Sequence, residues 1–354
     1  MITRRTTIKA LAVAATAPFV WAPSRSASRR KPIVIRDPGG IYTKIYQDIL
    51  YQPFTDKTGI PVRSVQSDAE PTAQIRTMVK SKSYLWDMVA ISHRAIPFLT
   101  IGKEVYLEKH ELEDDPIVSS IPPHFRSQYG VGTNAYATVL AYRTDAFKGR
   151  QAPQLWKDFW DVKGFPGRRS LRKLPYDTIE IALMADGVPA KEVYPCNLDR
   201  ALRSLDKIKS DVSVWWVGSG PQTEHFLKTR EVDLIPVFSI WAQAAIDAGA
   251  PVAISWEQHL YGCHNWAILK GTPNADACRQ FIRFACLPER QALLAPYGIG
   301  PTHPDAFKPN YIDPKYVKRL PTHPDNLKKG LFIDASYWLK QDDIIQRFNH
   351  WLLG

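Results

Sequence analysis

The stretch 31–65 limits what the rest of the chain can fold into. Its apolar run Ile33, Val34 and Ile35 has the length and β-branching of a buried strand. Asp37, Pro38, Gly39 and Gly40 then impose a turn that neither helix nor strand tolerates. From 42 to 56 the apolar residues return at helical spacing (Tyr42, Ile45, Tyr46, Ile49, Leu50, Phe54), with Pro53 set to bend or shorten the helix. Gly59 offers a left-handed helix stop, and 60–65 reads as a second strand. Strand, glycine turn, helix and strand make one right-handed crossover unit. Ligands of such a unit sit beyond the carboxyl end of the first strand, at the helix N-terminus. Residues 37–42 are therefore expected at the rim of a binding cleft.

A chain of 354 residues is expected to form two domains. Arg4, Arg5 and Lys9 precede a run of small apolar residues, 10–22, too short for a membrane span of about 20 residues. Charge, a short apolar run and small residues in that order predict an export signal over 1–27. The paired arginines point to the twin-arginine route, and the mature chain is expected in the periplasm. The formal charge is +11, of which Arg4, Arg5, Lys9 and Arg25 would leave with the signal. The remaining basic residues are scattered, so no nucleic-acid partner is expected. The dense cluster Arg168, Arg169, Arg172 and Lys173 reads as a solvated face. Cys278 and Cys286 are eight apart in one predicted helix, a rise of about 12 Å. A disulfide spans at most roughly 7 Å between Cα atoms, so buried thiols are expected there. Cys196 and Cys263 stay open as a pair.

Further strands are predicted at 86–91, 136–142, 212–217, 232–238, 252–256 and 266–269. Helices are predicted near 71–82, 198–209, 222–229, 241–248, 275–287 and 344–353. This alternation means an α/β architecture. The strand at 136–142 is read as crossing between lobes and that at 266–269 as returning, which would make a hinged clamp.

Several short segments then carry a resemblance. They are Phe54-Thr55-Asp56-Lys57-Thr58-Gly59-Ile60-Pro61-Val62, Trp86-Asp87-Met88-Val89 and Trp156-Lys157-Asp158-Phe159-Trp160-Asp161. Later come Phe165-Pro166-Gly167-Arg168-Arg169, Gly271-Thr272-Pro273-Asn274 and Pro288-Glu289-Arg290-Gln291-Ala292. In this order the chain resembles the extracellular solute-binding proteins of ABC importers, in the spermidine/putrescine-binding branch. The resemblance implies a two-lobed periplasmic binding protein fold, each lobe a doubly wound sheet, hinged by crossing strands. Lobe 1 would take 28–140 and 267–310, and lobe 2 would take 141–266 and 311–354. It implies capture of a small nitrogen-containing solute, polyamine-like or an amino-acid derivative or conjugated amine, for an ABC permease in the inner membrane. It implies no catalysis, no cofactor and no metal; a monomer is expected.

In polyamine-binding relatives aromatic rings box the methylene chain and carboxylates hold the ammonium groups, as cation–π attraction and the cost of burying a bare charge require. Trp241 matches the position of a family binding tryptophan. Trp256, Tyr261, Trp215 and Trp216 lie near other strand ends, as candidates for ligand wall or core alike. Gly39 and Gly40 would expose backbone N–H groups to an anion or polar oxygen, with Tyr42 beside them. Ser92, His93 and Arg94 occupy a loop where relatives present a small hydroxyl and an aromatic; Arg94 there suits a carboxylate. His264 falls near a position where relatives carry an amine-binding Asp, and Asp177 and Glu180 are the nearest acids of the second lobe. Few carboxylates and several cations favour an amine-plus-carboxylate solute over a dication. Two rival readings are a sensory binding protein for a receptor and an exported hydrolase or metal site built on His259, Cys263 and His264. The second lacks a third metal ligand at diagnostic spacing and any G-x-S-x-G elbow.

Overall fold

The computed structural model describes residues 30–67, 70–217 and 220–354, so the signal expected over 1–27 lies outside the described residues. β1 (Ile33–Asp37) pairs in parallel with β2 (Val62–Gln66), and β3 (Met88–Ser92) joins β1 in parallel on its other side. The helix between β1 and β2 is not shortened at Pro53. It runs as α-helix over Ile41–Tyr46, widens to a π turn over Gln47–Tyr51, and resumes over Gln52–Thr58. Proline has no N–H for the carbonyl four residues back, and its ring presses on that oxygen; a widened turn just before it relieves both. Gly59 at φ 71° closes the helix, its N–H 2.8 Å from the Thr55 carbonyl.

The remaining long strands are β4 (Gly130–Arg143), β5 (Arg169–Arg172), β6 (Val212–Trp216), β7 (Leu234–Phe238) and β8 (Val252–Leu269). Their order is β2-β1-β3-β8-β4-β7-β5-β6, and four two-residue strands bring the sheet to 12 among the described residues. β4 and β8 run antiparallel from Arg143 opposite Val252 to Val131 opposite Trp266. β3 flanks one end of β8 and β7 flanks the far part of β4. Two α/β lobes thus share one continuous ladder through β4 and β8. The expected strands 252–256 and 266–269 are the ends of one 18-residue strand. Its middle carries Glu257, Gln258, His259, His264 and Asn265, which interrupt the apolar run without ending the pairing. A register break between Ser255 and Leu260 lets residues 256–259 bulge from the ladder.

Lobe 1 is packed around Tyr46, Tyr51, Phe54, Trp266 and Phe281, all at or near zero exposure, with Trp266 and Phe281 edge-to-face at 5.2 Å. Lobe 2 is packed around Trp156, Phe159, Leu171, Ile179, Leu205 and Phe348. Each such burial stabilises by about 1.5–3 kcal/mol. The cluster 168–173 is a solvated face only at Arg168 and Lys173, which are exposed. Arg169 is 1% exposed and donates to the carbonyls of Phe159 (2.7 Å), Gly167 (2.6 Å), Asp161 (3.3 Å) and Phe165. A planar guanidinium satisfies that many carbonyls at once, which is how its charge is accommodated under the surface. All four cysteines are free, which closes the question of Cys196 with Cys263.

Candidate functional site

Ser92, Arg172, Trp216 and Phe238 are the last residues of β3, β5, β6 and β7. They meet the middle of the crossing strands. Ser92 Oγ lies 3.1 Å from Tyr136 Oη on β4, and the Phe238 ring stands edge-on to Tyr136 at 5.9 Å. The Arg172 guanidinium sits 5.4 Å from the Trp216 ring and 5.3 Å from the Phe238 ring, within cation–π range.

Asp177 holds the charge at the centre. Helix Pro175–Ala185 is kinked at its start, and Asp177 takes a left-handed φ of 70° there. A non-glycine residue in that region costs on the order of 1–3 kcal/mol. Its Oδ2 accepts from Thr138 Oγ1 at 3.0 Å and from Arg172 Nη1 at 3.4 Å. Arg94, just ahead of helix Ala95–Thr100, reaches across from lobe 1; its Nη1 stops 3.9 Å from Asp177 Oδ1, too far for a hydrogen bond. Among the described residues Arg94 Nη1, Arg172 Nε and Asp177 Oδ1 are buried with no hydrogen-bond partner. Arg94 also stacks 5.1 Å from the Tyr176 ring. Glu70 accepts from the Ser92 N–H at 3.2 Å, and burial pushes its carboxyl up.

The opposite wall is neutral. His264 and Asn134 are direct cross-strand partners on β8 and β4, and Asn134 Nδ2 is 3.1 Å from His264 Nδ1. Tyr46 Oη donates to Asn134 Oδ1 at 3.0 Å. The imidazole is wedged between Tyr42, edge-on at 5.7 Å, and Tyr136 at 5.2 Å. Burial, then His93, Arg36 and Arg94, lowers its pKa to about 3. A small space opens on Thr138, Arg172, Asp177, Trp216, Val237 and Phe238.

Of the residues expected from the sequence, Tyr42, Ser92, Arg94, Asp177 and His264 come together here. The others make the following contacts. Gly39 and Gly40 form a tight turn at positive φ, with the Gly39 N–H taken by Asp37 Oδ1 at 2.9 Å. Asp37 also accepts from Thr43 and Tyr51, so it braces the turn rather than facing a ligand. His93 spends both ring nitrogens on the backbone: Nε2 donates to the Ile333 carbonyl at 2.9 Å and Nδ1 accepts from the Cys263 N–H at 3.3 Å. Trp215 packs on Trp351 at 5.9 Å, because strand alternation turns it opposite to Trp216. Trp256 sits in the bulge, edge-on to His259 at 5.4 Å, and Tyr261 packs on Phe332 at 5.3 Å. The Trp241 indole lies directly on Gly220, where even a Cβ would meet it at 1.6 Å. Glu180, the other acid considered, is buried and accepts from Tyr194 Oη and Trp338 Nε1, both at 2.7 Å.

Arg172, Tyr136, Thr138 and Phe238 were not singled out by sequence as site residues, and Trp216 was expected there as ligand wall or core alike. A signal existed: applying the strand-end rule to every strand, not only the first, selects Arg172, Trp216 and Phe238. Cys263 is buried, its thiol pushed up to about 12 by burial, and its sulfur accepts from Asn265. Among the described residues no three His, Cys, Asp or Glu side chains are grouped to hold a metal ion.

Residues 50–324 match the family model for bacterial extracellular solute-binding proteins. The γ-aminobutyric acid-binding protein of Pseudomonas aeruginosa is 34% identical over 327 residues, 88% of each chain. An ABC transporter substrate-binding protein of Bradyrhizobium japonicum superposes with a TM-score of 0.84 at 33% identity, covering 91% of this chain and 99% of that one. The Atu4243–GABA receptor gives a TM-score of 0.79 at 29% identity, over 91% and 97%. These structures share the two-lobed α/β frame with a cleft between its halves. Matched across most of its length and built on that frame, this chain belongs to the bacterial extracellular solute-binding protein family.

Proposed function

We propose that the cleft takes a compact zwitterion, an ammonium and a carboxylate on a short apolar spacer, and that the two lobes close on it for delivery to an ABC permease. The observation that carries this is the pair Arg94 Nη1 and Asp177 Oδ1. They are opposite charges on opposite lobes, 3.9 Å apart, each buried and without a hydrogen bond. A carboxylate would satisfy the first and an ammonium the second, at the strength of charge-assisted hydrogen bonds. Arg172 aims Asp177 by holding its other oxygen. A diamine would bring two more cations to a group where two guanidinium ions already face one carboxylate, and repulsion opposes that. The γ-aminobutyric acid-binding relative supports the same reading.

Residues 28–140 with 267–310, and 141–266 with 311–354, are the two halves we propose to move, except that the end of β8 from His264 on, which pairs with β3, goes with the first half. Export by the twin-arginine route and a monomeric mature protein complete the proposal. Calorimetric titration with γ-aminobutyrate, putrescine and spermidine tests the solute. Micromolar or tighter γ-aminobutyrate and at least hundredfold weaker putrescine are expected; putrescine binding the tighter of the two overturns the reading.

A further inference from the structure

We propose that His264 selects the oxygen end of the solute, and that Asn134 and Tyr46 set it to do so by holding the imidazole as its Nε2–H tautomer. The proposal rests on the zwitterion reading and assigns the specificity of that site to a neutral relay. Tyr46 is fully buried, and its hydroxyl is 3.0 Å from Asn134 Oδ1. Thr133 Oγ1 approaches the same oxygen at 3.3 Å. Turning the amide over would face the Tyr46 proton with an NH₂ group and leave it with no acceptor among the described residues. The amide oxygen is therefore fixed toward Tyr46, and Nδ2 points at His264 Nδ1, 3.1 Å away. A nitrogen that receives an N–H keeps its lone pair, so the ring proton sits on Nε2.

The ring is also held neutral. It is half-buried beside His93 and near Arg36 and Arg94, so a second proton is repelled, in line with its low pKa. Burial raises the phenols of the neighbouring rings, Tyr42 and Tyr136, so they are neutral as well. Nε2–H meets no protein acceptor among the described residues. A neutral, fixed donor offers a hydrogen bond to a carboxylate or carbonyl oxygen. To an ammonium it presents only another N–H. His264 and Arg94 then share the solute's carboxylate, while Asp177, held by Thr138 and Arg172, takes the amine end. Asn134 and Tyr46 are positioning residues, since they act only through the imidazole.

Histidine-selective ¹⁵N labelling and long-range ¹H–¹⁵N correlation of the unliganded protein read the tautomer directly. The expected result is a protonated Nε2 and a bare Nδ1 at pH 7, unchanged down to pH about 5. Asn134→Leu should mix the tautomers and weaken γ-aminobutyrate about tenfold, the loss of one hydrogen bond to a charged group. Tyr46→Phe, which frees the amide to turn, should shift the same signals with a smaller loss of about threefold. His264→Asp should move the γ-aminobutyrate to putrescine preference toward putrescine by about a hundredfold. An Nδ1–H or doubly protonated ring at pH 7, or tautomer signals indifferent to Tyr46→Phe, overturns the proposal. Failure of the wild type to bind γ-aminobutyrate would strike the zwitterion reading instead, while the tautomer measured without solute still judges the relay.

Discussion

The two walls of the cleft are built on opposite terms. On the lobe 1 side Tyr46, Asn134 and His264 are neutral and bonded to one another in sequence. On the lobe 2 side Arg172 and Asp177 are charged, Asp177 is held at a left-handed φ, and each keeps a buried polar atom without a partner. One wall spends its hydrogen bonds on itself and so fixes a shape. The other withholds them, and an unmet buried charge is expensive until a ligand arrives. Recognition in such a cleft divides between a rigid neutral surface that chooses geometry and a strained charged one that supplies affinity.

The strongest test of that contrast is Asp177→Asn. It keeps the shape and removes the charge, and should cost at least about a hundredfold in solute affinity by calorimetry, the range for truncating one member of a buried charge pair. A loss under about threefold would dissolve the contrast. Next is Glu180, buried behind the charged wall. Burial, then the nearby Asp177, raises its pKa to about 7. Its unfolded value lies near 4.5, so the folded state holds the proton to higher pH. Its stabilising contribution is complete below about pH 4.5 and is lost as pH rises through about 7, a cost of about 3 kcal/mol by pH 8. Glu180→Gln should therefore gain Tm over wild type steadily from pH 5 to 8; parallel curves would refute it.

A smaller effect is expected on the neutral wall. Gly262 lies opposite Tyr136, and a Cβ there would stand 2.4 Å from His93 Cε1 and 2.8 Å from Tyr136 Oη. Gly262→Ala should destabilise by about 1–3 kcal/mol in urea titration, as overpacking does; an unshifted midpoint counts against so tight a fit. The smallest effect is the most diagnostic of side. Trp215→Phe should leave solute affinity within about twofold, whereas Trp216→Phe should weaken it about tenfold by removing ring area beside Arg172. Equal losses would mean the strand faces its other way.

What the sequence made legible follows from how local the signal is. The unit from Ile33 to Gln66 could be read because apolar spacing, a glycine turn and a glycine stop all lie within it. β8 was legible only at its ends, since its polar middle lines the crossing, and function there overrides the strand pattern. Tyr42, Ser92, Arg94, Asp177 and His264 could be named from strand ends and resemblance. Arg172 was hidden in a basic cluster that looks like surface, because nothing local reports that Trp216 and Phe238 will stand against it. Trp215 and Trp216 are adjacent and chemically identical; only the register Arg172–Trp216 separates them, and that is a tertiary fact.

The π turn at Gln47–Tyr51 has a consequence for how such a site can be retuned. Each residue of an α-helix advances the side chains by about 100°. One extra residue in a single turn therefore lets the segment carrying Tyr42 and Tyr46 adopt a rotational phase independent of the segment carrying Phe54, which is locked against Phe281 and Phe284. Two rods on one axis, clocked separately, allow Tyr42 to be swung toward or away from His264 by a one-residue deletion, with the anchoring rod left untouched.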